Sequence, residues 1–466
     1  MSTGVKSAQE WMTQQFEWAQ LGDRRRTRRL GKLGAAVAKR PGVSLPDALT
    51  SWGDLKAVYR LLGSEEVTYE RIMGPHWENT LGACQSGGEY LIVEDTTGLD
   101  FGSKRAVEGL NREGEGEVNG MYVHTSLALR VEGWREDGAP EVTVTGLLGQ
   151  RTWVREGESK RGRETRKERL ARPRESERWA AVFERTGGPA SGSRWTYVAD
   201  RESDIFAVIG QLRSKGIEYI IRACRERKVE GQEATIQEAV SGAPVLGEME
   251  LYLRARPGQR ARVARLEVRS ARVMVRPPRV GGKGMQAQEE NVIEVREVGA
   301  PEGVEPVVWV LLTSWECGSV QEALRVVKAY AKRWLIEEYH KALKTGTGIE
   351  KSQLSSRHRL ESLLGILGVE AVWLLNQKLL CVSRPDEEVG AGAVEDDVMR
   401  LLEAAQGRPK GGWTNRTMLV GIAKLGGFLG RKGDGNPGWI TIWRGWQKLM
   451  IMCAGIDLLR RHERCG

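Results

Sequence analysis

The chain lacks paired cysteines. Its six, Cys84, Cys224, Cys317, Cys381, Cys453 and Cys465, are scattered, none forms a C-x-x-C pair, and only five histidines accompany them. That spacing excludes a zinc finger or ribbon and a disulfide framework, and a reducing cytoplasm is the simplest setting. Long apolar runs are missing too. No stretch reaches the roughly 18 apolar residues of a membrane span. The segment MSTGVKSAQEW carries no signal-peptide hydrophobic region, so no membrane partner is expected. Phenylalanine is scarce, five against sixteen tryptophans. Most of those indoles are expected to anchor cores or interfaces, and some could stack on bases. Nor does one sign of charge dominate. Lys and Arg number 71 against 62 Asp and Glu, a net +9, and this excess is too mild to indicate nucleic acid by itself. At 466 residues and 40% hydrophobic, the chain can build two to four packed domains.

Residues 7 to 80 read mostly as helix. Asp23 is placed to cap a helix with apolar Leu30, Leu33 and Val37. Arg24, Arg25, Arg26, Arg28 and Arg29 crowd its first turns, where the helix dipole disfavours cations. A bound polyanion would relieve that conflict, and a solvated basic face is the plain alternative. A second helix has Leu55, Val58, Tyr59, Leu61 and Leu62 inside and Lys56 and Arg60 outside. EYLIVEDT (89 to 96) reads as a buried strand ending at Asp95, with further strands expected at 121 to 131 and 142 to 154. The charged stretch 155 to 188 reads as helix and loop. A strand then runs into Asp200 and a helix follows, with another strand at 216 to 223. Residues 226 to 305, with alternating ARVARLEVRSARVMV, suggest a small antiparallel unit. Residues 306 to 314 form a buried strand, and Ser319 with Glu322 signals a capping box opening a long helix. The remainder reads as mainly helical, with a Trp-rich end.

That long helix includes AYAKRWLIEEYHKALKTG. At about 100° per residue, Tyr330, Arg333, Glu337, Lys341 and Lys344 share an arc of roughly 80°, opposite apolar Leu335, Ile336, Tyr339, Ala342 and Leu343. Cations and a phenol suit phosphate oxygens, and a carboxylate among them calls for a metal ion between acid and phosphate. Asp95 and Asp200 stand at strand ends and Glu337 on this late helix. If the three meet, each like-charge contact at about 4 Å costs about 4 kcal/mol at an effective dielectric near 20. Divalent cations with oxygen ligands, Mg²⁺ or Mn²⁺ and two per site, relieve that cost and support phosphodiester chemistry. Each acid also has an ordinary reading: a turn for Asp95, a helix cap for Asp200, a pair with Lys341 for Glu337.

These residues resemble the cut-and-paste bacterial transposases of the insertion-sequence-four family, transposon-five type. The motif DTT is met by Asp95-Thr96-Thr97, DRExD by Asp200, Arg201, Glu202 and Asp204, and Y-(2)-R-(3)-E-(6)-K by Tyr330, Arg333, Glu337 and Lys344. LGDRRRTRRL near the start and the stretch from AKLGGFLGRKG to WITIWRGWQKL near the end are similar too. The resemblance implies an α/β fold with a ribonuclease-H-like mixed-sheet core, a β-rich insertion, a helical N-terminal DNA-binding domain and a helical C-terminal domain. The corresponding divisions are 1–80, 81–225, 226–305, 306–382 and 383–466. It implies that Asp95, Asp200 and Glu337 hold the metals and that Tyr330, Arg333, Lys341 and Lys344 grip phosphates near the cut. Trp309 would stack on a flipped base, and Arg24, Arg25, Arg26, Arg28 and Arg29, with Arg60, would bind transposon-end DNA. The implied partners are double-stranded DNA, as transposon ends and target, and a second copy in a synaptic homodimer. The implied place of action is the bacterial nucleoid. A nuclease of the same fold that cuts without joining, and an inactive DNA-binding inhibitor, are the rival readings.

Overall fold

The computed structural model describes residues 7–49, 51–103, 106–113, 118–154, 178–253, 261–279, 282, 284–389, 394, 396–431 and 433–465. The expected helix and loop at 155 to 188 falls mostly outside them. Helices open the chain: α1 (Ala8–Phe16), α2 (Arg24–Lys39), the short α3 (Leu45–Ala48), α4 (Trp52–Leu62) and α5 (Tyr69–Gln85). Their starts are chemically marked. Ser7 forms a capping box with Glu10, and Asp23, Ser51 and Thr68 each accept a first-turn N–H. On α2 the 3–4 spacing of Leu30, Leu33 and Val37 buries one stripe. Gly34 lets α2 sit tight on α1, since a Cβ there would lie 2.9 Å from the Phe16 ring.

The centre is one ten-stranded mixed sheet. It comprises β1 (Gly88–Asp100), β2 (Asn111–Glu113), β3 (Val118–Trp134) and β4 (Pro140–Trp153), then, after helix α6 (Val182–Thr186), β5 (Ser193–Ala199). Helix α7 (Phe206–Ser214) leads to β6 (Glu218–Arg222), and α8 (Ile236–Ser241) to β7 (Val245–Leu253), β8 (Arg262–Val275), β9 (Gln288–Glu297) and β10 (Val308–Thr313). The order is β2-β3-β1-β5-β6-β10-β9-β8-β7, with β4 on β3. β1, β5 and β6 run parallel to one another, and β3, β4 and β10 join antiparallel. The stretch 226 to 305 does form antiparallel strands, but they extend the main sheet through β9 and β10 instead of standing apart.

Alternation along β1 divides the core. Leu91 and Val93 face one cluster, shared with α2, α4 and α5; Tyr90 and Ile92 face the other, shared with α6 and α7. After β10 come α9 (Val320–Ala331), α10 (Trp334–Lys341), a single wide π turn (Ala342–Gly346) and α11 (Arg357–Ser383). Contrary to the expectation from the sequence, α11 is long and apolar enough to cross a membrane. Here it is a core helix, with Leu360, Leu364, Ile366 and Val369 buried in the main cluster against α5 and β4. Helices α12 (Asp396–Gln406), α13 (Asn415–Leu425) and α14 (Trp439–Cys465) finish the chain around a smaller core of Leu402, Ile422, Trp443 and Leu449.

Candidate active site

Strand register brings the first two acids together. β1 and β5 pair in parallel from Gly88 with Ser193 to Val93 with Val198. Two residues beyond that last pair, the neighbouring strands carry Asp95 and Asp200. β1 does not end at Asp95, as expected, but runs on to Asp100, because its other neighbour β3 keeps pairing with it as far as Gly120. Only the β5 side opens there, and that opening leaves the acids partly accessible. Asp200 Oδ1 accepts from the Glu202 N–H at 3.1 Å and so caps the single 3₁₀ turn Arg201–Ser203.

The third acid arrives on a broken helix. The expected continuous helix ends at Ala331, and a new one begins at Trp334. The capping box at Ser319 and Glu322 is present, but the charged row is split over α9, α10 and the π turn. At the break, the guanidinium of Arg333 turns toward β1. Its Nη1 lies 3.4 Å from Asp95 Oδ2 and its Nη2 donates to Glu337 Oε1 at 2.6 Å. Asp200 is near enough to act electrostatically on Arg333, Tyr330 and Asp95. Glu337 thus pairs with Arg333 and not with Lys341.

The electrostatics follow from this crowding. Burial, together with Asp200 and Glu337, pushes the Asp95 carboxyl up to about 6, against the pull of the Thr96 amide and Arg333. Burial works against the charge of Arg333, but Tyr330, Glu337, Asp95 and Asp200 outweigh it and hold the guanidinium above its usual range. Burial raises the Tyr330 phenol, while Arg333 and Arg222 pull the other way. The apolar side of α10 and the π turn is as expected: Leu335, Ile336, Tyr339, Ala342 and Leu343 are all buried.

Other expected residues lie where the fold gives them different partners. Lys341 Nζ donates to Glu338 Oε1 at 2.9 Å, a largely buried carboxylate three residues back on the same helix. Lys344 sits in the π turn, 3.9 Å from Glu350. Trp309, on β10, is half-buried and meets Tyr330 edge-on with ring centroids 5.6 Å apart. In α2 the arginines divide. Arg26 donates to the Leu21 carbonyl at 2.9 Å and Arg29 to Asp54 at 3.1 Å, while Arg24, Arg25 and Arg28 are exposed, as is Arg60 on α4. The sequence reading missed Arg222, at the end of β6, a second cation beside Tyr330 and Asp200. Its position at the end of the strand following the Asp200 motif was the available signal.

Comparison with known families puts names to the parts. A transposase DNA-binding family model matches residues 8–67, a transposase DDE domain model residues 191–369, and a transposase Tn5 dimerisation domain model residues 373–466. The chain belongs to the Tn5-type DDE transposases. The transposase therefore has a ribonuclease-H-like core, carries DNA-binding and dimerisation parts, and uses divalent metal. Asp200 and Glu337 fall within the stretch matched by the DDE model, whereas Asp95 precedes it. The donor chemistry suits a hard cation: Asp95 and Glu337 both contact one guanidinium, and Asp200 lies within electrostatic range of it. In this conformation Arg333 supplies the positive charge, and among the described residues no three His, Cys, Asp or Glu side chains are grouped to hold a metal ion.

Proposed function

We propose that this transposase moves DNA by a cut-and-paste route: nicking at transposon ends, hairpin formation, hairpin opening and strand transfer into target DNA. The observation that carries this reading is the meeting of Asp95 and Glu337, far apart in sequence, on the Arg333 guanidinium beside Asp200. Asp95, Asp200 and Glu337 hold the divalent ions, two Mg²⁺ or Mn²⁺ per site. Bound there, such ions supply activation of a water or 3′-hydroxyl nucleophile and stabilisation of the leaving 3′ oxygen. Arg333, whose planar fork can donate twice, is the cation placed to meet a phosphate oxygen. Tyr330, which interacts with both Arg333 and Arg222, steadies that guanidinium. Lys344, at the mouth of the π turn, meets a neighbouring phosphate, and Lys341 joins it if it leaves Glu338. Trp309 offers an aromatic face to a base displaced during hairpin formation.

Transposon ends are held by Arg24, Arg25 and Arg28, with Arg60 beside them. Arg26 and Arg29 set the local fold. Two copies pair two ends through the C-terminal helices, in the cytoplasm on chromosomal DNA. The test is incubation of the protein with uncut and pre-cut ends, a target plasmid and Mg²⁺. Joined products are expected. Cutting without joining would make it a nuclease, and end binding with neither would make it an inhibitor.

A further inference from the structure

Each of the three acids has a buried carboxylate close by in sequence. Beside Asp95 is Glu94, fully buried, which accepts from Ser126 Oγ at 2.5 Å, Tyr197 OH at 3.0 Å and the Ala180 N–H at 2.9 Å, with His124 Nε2 at 3.3 Å. After Asp200 comes Asp204, also fully buried, held by Arg227 and by the N–H groups of Cys224 and Arg225. Beside Glu337 is Glu338, 4% exposed, which accepts from Lys378 Nζ at 2.6 Å, Trp439 Nε1 at 2.9 Å and Lys341 Nζ at 2.9 Å. A buried carboxylate bound by several donors resists displacement, because losing any one leaves desolvated charge behind. Each companion therefore fixes the backbone that presents its neighbour.

The third companion differs from the others in where its partners lie. Lys378 and Trp439 both belong to the stretch matched by the dimerisation model. Lys378 Nζ also lies 4.4 Å from the centre of the Trp439 ring. One turn further along α14, Trp443 packs on the π turn: a Cβ at Gly346 would touch its ring at 3.4 Å. Trp439 belongs to the main core cluster and Trp443 to the C-terminal one, so the start of α14 joins the two. The C-terminal helices thus grip α10 at Glu338, about 100° around the helix from Glu337.

We infer that Glu338 is a positioning residue through which Lys378 and Trp439 of the dimerisation region set the placement of Glu337 for cation binding. This rests on the assignment of Glu337 as a metal ligand. The experiment uses the full chain as Glu338→Gln, Lys378→Met, Lys378→Arg and Trp439→Phe, with Glu337→Gln as control. Two quantities are read: Mn²⁺ affinity by titration, and amide hydrogen exchange across residues 334–341. Lys378→Met and Glu338→Gln should each weaken Mn²⁺ at least fivefold and speed exchange in α10, and Lys378→Met should leave end-DNA affinity unchanged. Lys378→Arg should restore most of both, and Trp439→Phe, the mildest change, should move both the same way by less. Glu337→Gln should weaken Mn²⁺ while leaving exchange in α10 unchanged. The inference is overturned if folded Lys378→Met and Trp439→Phe proteins keep wild-type exchange in α10, or exchange faster with Mn²⁺ affinity within twofold of wild type. If Glu337→Gln leaves Mn²⁺ affinity untouched, the ligand assignment fails, and exchange in α10 still decides whether the C-terminal contacts order that helix.

Discussion

Removing Arg24, Arg25 and Arg28 together should flatten the salt dependence of end binding, whereas removing Arg26 or Arg29 should not. The structure separates these groups. The Arg25 side chain is 90% exposed and makes only a 3.7 Å contact with Asp23, and Arg24 and Arg28 are exposed on the same first turns of α2. Each phosphate contact contributes roughly 0.9 to the slope of log affinity against log salt, so the triple alanine variant should lose about 2.7. Between about 50 and 200 mM salt, the wild-type protein should then lose about 40-fold more affinity than the variant does. Arg26→Ala instead removes a bond to the Leu21 carbonyl, at a stability cost of roughly 1.5–3 kcal/mol. Arg29→Ala breaks an exposed pair with Asp54 worth about 1 kcal/mol at most. Fluorescence anisotropy of an end-containing duplex over a salt series measures the slopes, and thermal unfolding checks the folds. A triple variant with the wild-type slope would refute an end-binding role for this face.

Glu337→Ala should abolish Mg²⁺-dependent cleavage of end DNA while leaving gel-shift affinity for that DNA within about twofold, because it removes a proposed ligand and no DNA cation; retained cutting would overturn the assignment. Trp309→Ala should slow hairpin formation more than first-strand nicking in single-turnover assays. Equal slowing would assign the indole to its edge contact with Tyr330 alone. Metal affinity should fall about tenfold per pH unit below about 6, because Asp95 must lose its proton to hold a cation and burial raises its carboxyl to about 6; Mn²⁺ titration at several pH values measures this. Glu370 is fully buried on α11, neither of its carboxylate oxygens has a hydrogen-bond partner among the described residues, and burial raises it well above 4.5. Folding therefore takes up a proton above the unfolded value, and stability falls as pH rises through that window. Glu370→Met should gain on the order of 1–3 kcal/mol at pH 7, with the gain shrinking toward pH 4 in denaturant titrations.

Much of the core was legible because it follows local rules. The apolar run before Asp95, the strand into Asp200 and the capping box at Ser319 each depend on a few adjacent residues. What escaped depends on contacts between distant segments. Nothing in AYAKRWLIEEYH breaks a helix by propensity; the break at Lys332 and Arg333 exists where the guanidinium meets Asp95 across 238 positions. The α2 arginines looked alike by charge, yet Arg26 and Arg29 had internal partners that periodicity does not reveal. Lys341 shared an arc with Glu337, but the buried carboxylate of Glu338 drew it elsewhere. The extent of β1 was underestimated because one neighbouring strand leaves at Val93 while the other continues.

The in-register pairing of β1 with β5 also determines which sequence changes the enzyme can survive. Successive side chains on a strand point to opposite faces, so deleting one residue between Glu89 and Glu94 would turn Asp95 away from Asp200 and into the layer beneath α6 and α7. Length changes in the connections outside the strands have no such effect. Natural indels in this part of the gene should accordingly spare the paired stretches 88–93 and 193–198, and the rare ones inside them should come in twos.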